Sequence, residues 1–554
     1  MSKPKLKVGI LLDSKNVPAW TYRILESIAN SDYACLSLIV VADRKTESLG
    51  FLDRLWKNRS KLVFFVYSKL DGFLFRSDPD AFEIHALGCI SDGVDEISVT
   101  PDEEGFSDYF PDDAIATIKH KQIDVLLRFG FRILRGRILA AAKHGVWSYH
   151  HGDNRKNRGG PAGFWEVLKN WPETGSMLQI LTEQLDGGRV LYRSWSRTNP
   201  YSVTENKNSY YWKSSTFVMR SLRRLYTLGA EKYFASIEQH NTDLSFYDRP
   251  LYRVPGNLQT AYLVARQLVL LARRVIEKLI YIDQWYLVYK FSDGKPATTL
   301  HQFKHLMPAT DRFWADPFVI EKGGKYYVFF EEYLQSKGMA HISVMELDRS
   351  GISSEVTEVL VRPYHVSYPS LFEWHGRLFM VPETSVNKTI ELYECTDFPN
   401  QWEFVHNIME DVDAVDSTML EHNGKWWLFS GWAEVDGMSH DDELCIFYAD
   451  NPLSQDWQPH ALNPVVSDVK NARPAGQIKT IDGRLLRPSQ NCAGIYGFGF
   501  NLNEISILTE DEFEEVPIAQ VTPDWDRKLT RTHTYNHTGD LTIGDAMKQR
   551  WKFF

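Results

Sequence analysis

Apolar and polar positions recur along this chain with three different periods, and each period predicts a different architecture. An apolar run from Lys5 to Leu12 is followed by helical spacing near Ala19 to Ala29 and a second apolar run from Leu36 to Val41. This strand, helix, strand opening implies a parallel sheet with right-handed crossovers, whose ligands bind beyond the carboxyl ends of the strands. The pattern then predicts a strand over Asp124 to Phe129, a helix near Arg135 to Lys143 and a strand over Gly145 to Tyr149. No G-x-G-x-x-G follows the first strand, so a dinucleotide is not indicated.

Between about Ser202 and Asp283 helical spacing takes over, around Ser215 to Ile237 and again from Leu258 to Ile282. The second of these helices is interrupted by Arg266-Gln267, Arg273-Arg274 and Glu277-Lys278, which argues against a transmembrane span. Two readings stay open for residues 258–282: a helix packed between domains with a solvated basic stripe, and a basic helix in peripheral contact with a membrane.

From Trp285 onward short apolar strands alternate with glycine turns. Gly324-Lys325-Tyr326-Tyr327, Gly376-Arg377-Leu378-Phe379, Gly424-Lys425-Trp426-Trp427 and Gly483-Arg484-Leu485-Leu486 share one shape, and Gly539-Asp540-Leu541 reads as a degenerate fifth. Their spacing is near the ~40 to 50 residues of four-stranded propeller blades, which predicts five blades. A chain of 554 residues exceeds one core, and the boundaries fall at 1–201, 202–283 and 284–554. The predicted fold is an α/β domain with a Rossmann-like parallel sheet, a helical connector and an all-β five-bladed propeller.

A formal charge of −10 argues against a nucleic-acid footprint, which needs a basic face. Aromatic residues make up 13% of the chain, including 17 Trp, which suits a propeller core or carbohydrate stacking platforms. Cys35, Cys89, Cys395, Cys445 and Cys492 are far apart and form no C-x-x-C pair, so neither a disulfide framework nor a metal site is indicated. The apolar run Val8 to Leu12 is too short for a signal peptide, and the expected location is cytoplasmic.

The stretch from Gly145 to Arg189 carries candidate chemistry. A strand ends in Ser148-Tyr149-His150, Arg158-Gly159 lies eight positions after the histidine, and Leu185-Asp186-Gly187-Gly188 follows, with Asp186 thirty-six positions after it. This order resembles the formyltransferase family that uses 10-formyltetrahydrofolate. The resemblance implies His150 as the base and acid, Asp186 as its orienter and Ser148 as oxyanion donor where the family has asparagine. It also places Arg128, Phe129, Gly130 and Phe131 where the family wraps the pterin, with Gly187 beside the donor, while His151, Arg155 and Arg158 would meet an anionic substrate such as a nucleotide-linked amino sugar. His151 after His150 is also similar to the formyltetrahydrofolate deformylases.

In the last region Phe313-Trp314-Ala315-Asp316-Pro317 resembles the first blade of glycosidase-type propellers, and Asp416 occupies the matching place two blades later. Glu331 and Glu383 are further acids at strand ends. The segment is also similar to the N-terminal region of plant glucosamine inositolphosphorylceramide transferases. Asp316 and Asp416 are thus expected to bind substrate. Together these features predict a folate-dependent N-formyltransferase acting on an amino group of a sugar or glycan precursor. Its alternatives are a deformylase, a propeller glycosidase and a glycan-binding protein.

Overall fold

A computed structural model gives the fold and describes residues 3–44, 56, 58–238, 241, 247–352 and 354–552. The chain divides into two compact units, Met1–Val269 with Val435–Met438, and Leu270–Glu434 with Ser439–Phe554.

In the first unit β1 (Leu6–Leu12), β2 (Ala34–Ala42), β3 (Asp95–Val99), β4 (Val125–Arg128), β5 (Val146–His150), β6 (Glu173–Ile180) and β7 (Arg189–Arg197) form one sheet, ordered β7-β6-β5-β4-β1-β2-β3. The run from β5 to β3 is parallel, and β6 and β7 add an antiparallel edge. The central strands are apolar at successive positions because both faces are covered, as the burial of Val8, Ile10, Leu11, Val40 and Leu126 records.

Helices supply the cover. α1 (Ala19–Asn30) turns Trp20, Ile24, Leu25 and Ile28 inward, side chains whose burial is worth about 1.5–3 kcal/mol each. α2 (Leu62–Leu74), α3 (Asp112–His120) and the short α4 (Phe164–Leu168) follow. Then come α5 (Val203–Ser214), α6 (Phe217–Leu228), α7 (Ala230–Glu238) and α8 (Asn257–Ile280), of which only the part up to Val269 belongs to this unit. Ser202 caps α5 by accepting from the Glu205 N–H at 3.2 Å. The helix expected over Ser215 to Ile237 is broken at Gly229, whose φ of 79° cannot continue a helix. The helix expected near Arg135 to Lys143 is a 3-10 turn over Gly136–Ala140, because Gly136 enters it at φ 72° and Ile138 is drawn into the core.

The second unit is antiparallel β, in five successive sheets. The first joins both ends of the unit: Tyr281–Phe291 pairs with Leu541–Trp551 from Tyr281↔Trp551 to Phe291↔Leu541. The four glycine turns close hairpins with φ of 77°, 73°, 75° and 78° at Gly324, Gly376, Gly424 and Gly483. Gly539 makes a fifth between Tyr535–Thr538 and Leu541–Trp551.

Three opening strands share a further feature. Their register slips at Ala315/Phe318, Ser367/Ser370 and Val415/Thr418, and Asp316, Tyr368 and Asp416 there adopt φ of 50°, 44° and 52°. Each lies eight residues before its turn glycine. Left-handed backbone costs a non-glycine residue about 1–2 kcal/mol, so three copies of the same bulge mark a site where side chains are aimed at cost.

Candidate functional sites

In the first unit the distant motifs do come together. His150 Nδ1 lies 3.4 Å from Asp186 Oδ1, and Asp186 Oδ2 accepts the Gly159 N–H at 3.1 Å. Gly159 is required by its φ of 97° and by the Tyr252 carbonyl, which a Cβ would approach to 2.3 Å. The assembly is nevertheless closed. His150 Nε2 donates to the Asn157 carbonyl at 2.8 Å, so neither ring nitrogen points to an open space where a reacting group would bind. The Ser148 hydroxyl accepts from Arg128 at 3.1 Å, and the same guanidinium donates to the carbonyls of Phe131 and Arg132 at 3.0 and 2.8 Å.

The remaining residues expected in a folate or substrate site are likewise engaged within the unit. Phe131 packs on Phe110 in the sheet core, and Phe129 meets Trp20 edge to face at 5.6 Å. Gly130 lies so near the end of β1 that a Cβ would stand 2.2 Å from the Asp13 nitrogen, so glycine there serves backbone packing. His151 stacks on Tyr211 with ring centroids 3.7 Å apart, and burial holds its pKa well below the usual histidine range. Arg155 pairs with Asp153 at 3.3 Å, and Arg158 donates to the Asn154 carbonyl at 2.8 Å. Gly187 lies in the turn beside Gln184.

The second unit gathers acids from four of its sheets, with Gln490 from the fifth and Arg473, Asp441, His365 and His533 from connecting segments. Asp416 Oδ2 accepts from Arg473 Nε at 2.6 Å and Gln490 Nε2 at 2.7 Å, while Arg473 reaches Asp441 at 2.9 Å and Glu383 at 3.3 Å. Asp316 accepts from the Thr534 hydroxyl at 2.7 Å, and its N–H donates to Asp545 at 3.1 Å. His533 stacks on Trp285 and pairs with Asp545 at 2.6 Å. Glu331 meets His365 at 3.4 Å. Tyr368 accepts the Gly476 N–H at 2.7 Å. Half-buried Phe313, Tyr333, His365, Glu383 and Tyr496 border this cluster, and Phe313 stacks on Tyr333 at 4.7 Å.

Carboxylates outnumber cations here: Asp316, Glu331, Glu383, Asp416, Asp441 and Asp545 face Arg473, His365 and His533. Burial pushes Asp316 up to about 7, helped by Asp416, Glu331 and Asp545 and opposed by His533. Burial likewise raises Asp416 to about 7, opposed by Arg473 and helped by Glu383. For His533 burial works downward, but Asp545 and Asp316 outweigh it and lift the imidazole to about 9.

Asp316, His533 and Asp545 place three ligand atoms within 4.8 Å of one another, a set of the kind that holds metal ions. The Asp545 oxygens are already occupied, Oδ1 by the His533 and Thr534 N–H groups at 2.8 and 3.1 Å and Oδ2 by His533 and the Asp316 N–H. The trio therefore fits an ion-paired network better than a coordination shell.

Residues 295–541 match the family model described as glucosamine inositolphosphorylceramide transferase 1, N-terminal. A curated relative of that name from Oryza sativa subsp. japonica is 34% identical over 209 residues, covering 37% of this chain and 28% of the relative. Its counterpart from Arabidopsis thaliana is 30% identical over 209 residues, covering 37% and 27%. The chain thus spans little more than a quarter of the length of these relatives. A family 117 glycoside hydrolase from Zobellia galactanivorans is similar in structure at a TM-score of 0.31 and 13% identity, over 48% of this chain and 90% of that one. Glycinamide ribonucleotide transformylase 1 from Symbiobacterium toebii gives 0.24 and 14%, over 42% and 85%.

These names correct the expected function. The relatives are transferases, as expected, but their name carries a glucosamine, not a one-carbon group. The formyltransferase activity and 10-formyltetrahydrofolate as its donor are therefore withdrawn, in keeping with a His150 whose two nitrogens are both engaged inside the protein.

Proposed function

We propose that the five sheets of the second unit close into a five-bladed propeller whose cluster recognises an amino sugar, as part of a transferase that handles a glucosamine-bearing glycolipid. The carrying observation is the gathering of six carboxylates about three cationic side chains, where burial first and neighbouring acids second raise Asp316 and Asp416 to about 7. An ammonium group entering beside them supplies the missing positive charge, as a neutral sugar cannot. The aromatic border supports the same reading, because half-buried rings offer flat faces to sugar rings. The pairing of Tyr281–Phe291 with Leu541–Trp551 supports closure, since it ties the end of the unit to its beginning. Asp416, Asp316 and Glu383 are the proposed ammonium partners, with Tyr333 and Tyr496 as platforms.

The test is calorimetry of glucosamine binding at pH 7 in two buffers of different ionisation enthalpy. A cation that drives Asp316 and Asp416 toward their charged forms must release protons, so the apparent enthalpies should differ between buffers. Binding without proton release, or none at all, removes the reading.

A further inference from the structure

One feature lies outside this cluster and is independent of the sugar-binding reading: an apolar face that α8 and α2 turn outward. At 100° per residue, the buried positions of α8, Thr260, Leu263 and Gln267, define one stripe. The opposite side carries Leu258, Tyr262, Val269 and Ile276, and Leu258 and Val269 are 89% and 68% exposed. Leu268, Val275 and Leu279 widen this face, which runs the length of the 24-residue helix. Arg266 and Arg273 border it, and the only acidic residue of the helix, Glu277, is paired with Arg273 at 2.8 Å.

α2 repeats the pattern beside it. Phe64 and Asp71 face inward, while Phe65, Val66, Leu70 and Phe73 are exposed, Phe73 by 68%. Lys69 lies on the same outer side, and Arg59, Lys61 and Arg76 flank the helix. The two helices are joined at their starts: the Val63 N–H donates to Asn257 Oδ1 at 3.1 Å, Asn257 Nδ2 donates to the Arg59 carbonyl at 2.7 Å, and Phe64 and Leu263 share one core cluster. A soluble surface gains nothing from so many exposed Leu, Val and Phe side chains on adjacent helices. No helix among the described residues is long and apolar enough to cross a membrane.

We propose that the outer face of α2 and that of the Asn257–Val269 part of α8, both in the first unit, dock on an anionic lipid surface. Charge selects this occupant. In a chain of net charge −10, Arg59, Lys61 and Arg76 flank α2, Lys69 lies on its outer side, and Arg266 borders the exposed face of α8. Apolar side chains enter the acyl boundary while basic ones meet the headgroups. A second copy of the same face would bring like charges together.

Vesicle co-sedimentation of the whole chain tests this, using phosphatidylcholine alone and with about 30% phosphatidylserine. The expected result is binding to the anionic vesicles at least about tenfold tighter than to the neutral ones, and weakened by added salt. Phe73→Glu with Val269→Glu should weaken it at least about tenfold while thermal unfolding is unchanged, because both side chains are exposed. Leu70→Gln with Leu258→Gln, at other exposed points of the same unit, should do the same if the first pair disturbs folding. Failure to bind anionic vesicles, or binding indifferent to both pairs, overturns the proposal. So does sedimentation velocity showing a dimer that these pairs dissolve without any vesicle binding.

Discussion

The two units answer the same chemical problem, how to keep ionisable side chains inside a protein, in opposite ways. Around His150 every polar atom discussed above has a partner from its own neighbourhood: Asp186 and the Asn157 carbonyl for the imidazole, and Arg128 for Ser148. Around Asp416 the partners come from several sheets and still leave negative charge in surplus. The first unit also buries an acid, Glu166, which burial raises to about 7 and Asn157 holds at 2.7 Å. The proposed binding in the second unit therefore rests on the number of carboxylates gathered there, not on burial alone.

Removing a charge should separate the two most sharply. Arg473→Met leaves Asp416, Asp441 and Glu383 without their shared cation, and denaturant unfolding should show a loss of about 3–5 kcal/mol in the second unit. If the loss is below about 1 kcal/mol, the carboxylates are already neutral and the surplus charge is not there.

The pH dependence follows with a smaller effect. Asp316 and Asp416 keep their protons to about 7 in the fold but release them near 3.9 when unfolded, so the folded state binds more protons between these values. His533 does the same between about 6.5 and about 9. Both contributions make stability fall as pH rises, whereas the depressed Asp545 removes stability only as pH falls below about 4. Thermal unfolding of the second unit should therefore shift steadily downward from pH 5 to 9, and His533→Gln should flatten the portion above about 7.5. A flat or rising profile contradicts the cluster's electrostatics.

The smallest effect belongs to the first unit. Asp186→Asn keeps the shape of the turn but loses a charge-assisted contact to His150, an expected cost of about 1–2 kcal/mol. It should leave glucosamine binding untouched, and a matching loss of binding would move the site out of the second unit.

Much of this arrangement was legible in the chain. The family resemblance, not the spacing itself, implied that Asp186 lies against His150, and the glycine turns predicted the hairpins. What spacing does not carry is what else reaches the same atoms. The carbonyl of Asn157, which occupies His150 Nε2, has no signature because every residue has a carbonyl. Phe131 and His151 looked like ligand contacts but pack on Phe110 and Tyr211, since an aromatic ring serves a core and a site equally. Tyr368 carries no such signal by itself, because a tyrosine at a strand start reads as an ordinary core residue. Counting eight residues back from each turn glycine finds it together with Asp316 and Asp416. Arg473 and His533 lie at other offsets from Gly483 and Gly539, so only the folded chain reveals them as members of the cluster.

The central claim is that surplus carboxylates in the second unit bind an ammonium-bearing sugar. Titrating the protein with glucosamine and with N-acetylglucosamine, whose amine is blocked as an uncharged amide, tests it most directly. The account predicts saturable glucosamine binding at pH 7, at least about tenfold weaker for the acetylated sugar and lost in Asp416→Asn. Equal binding of the two sugars, or glucosamine binding that survives Asp416→Asn unchanged, would contradict it.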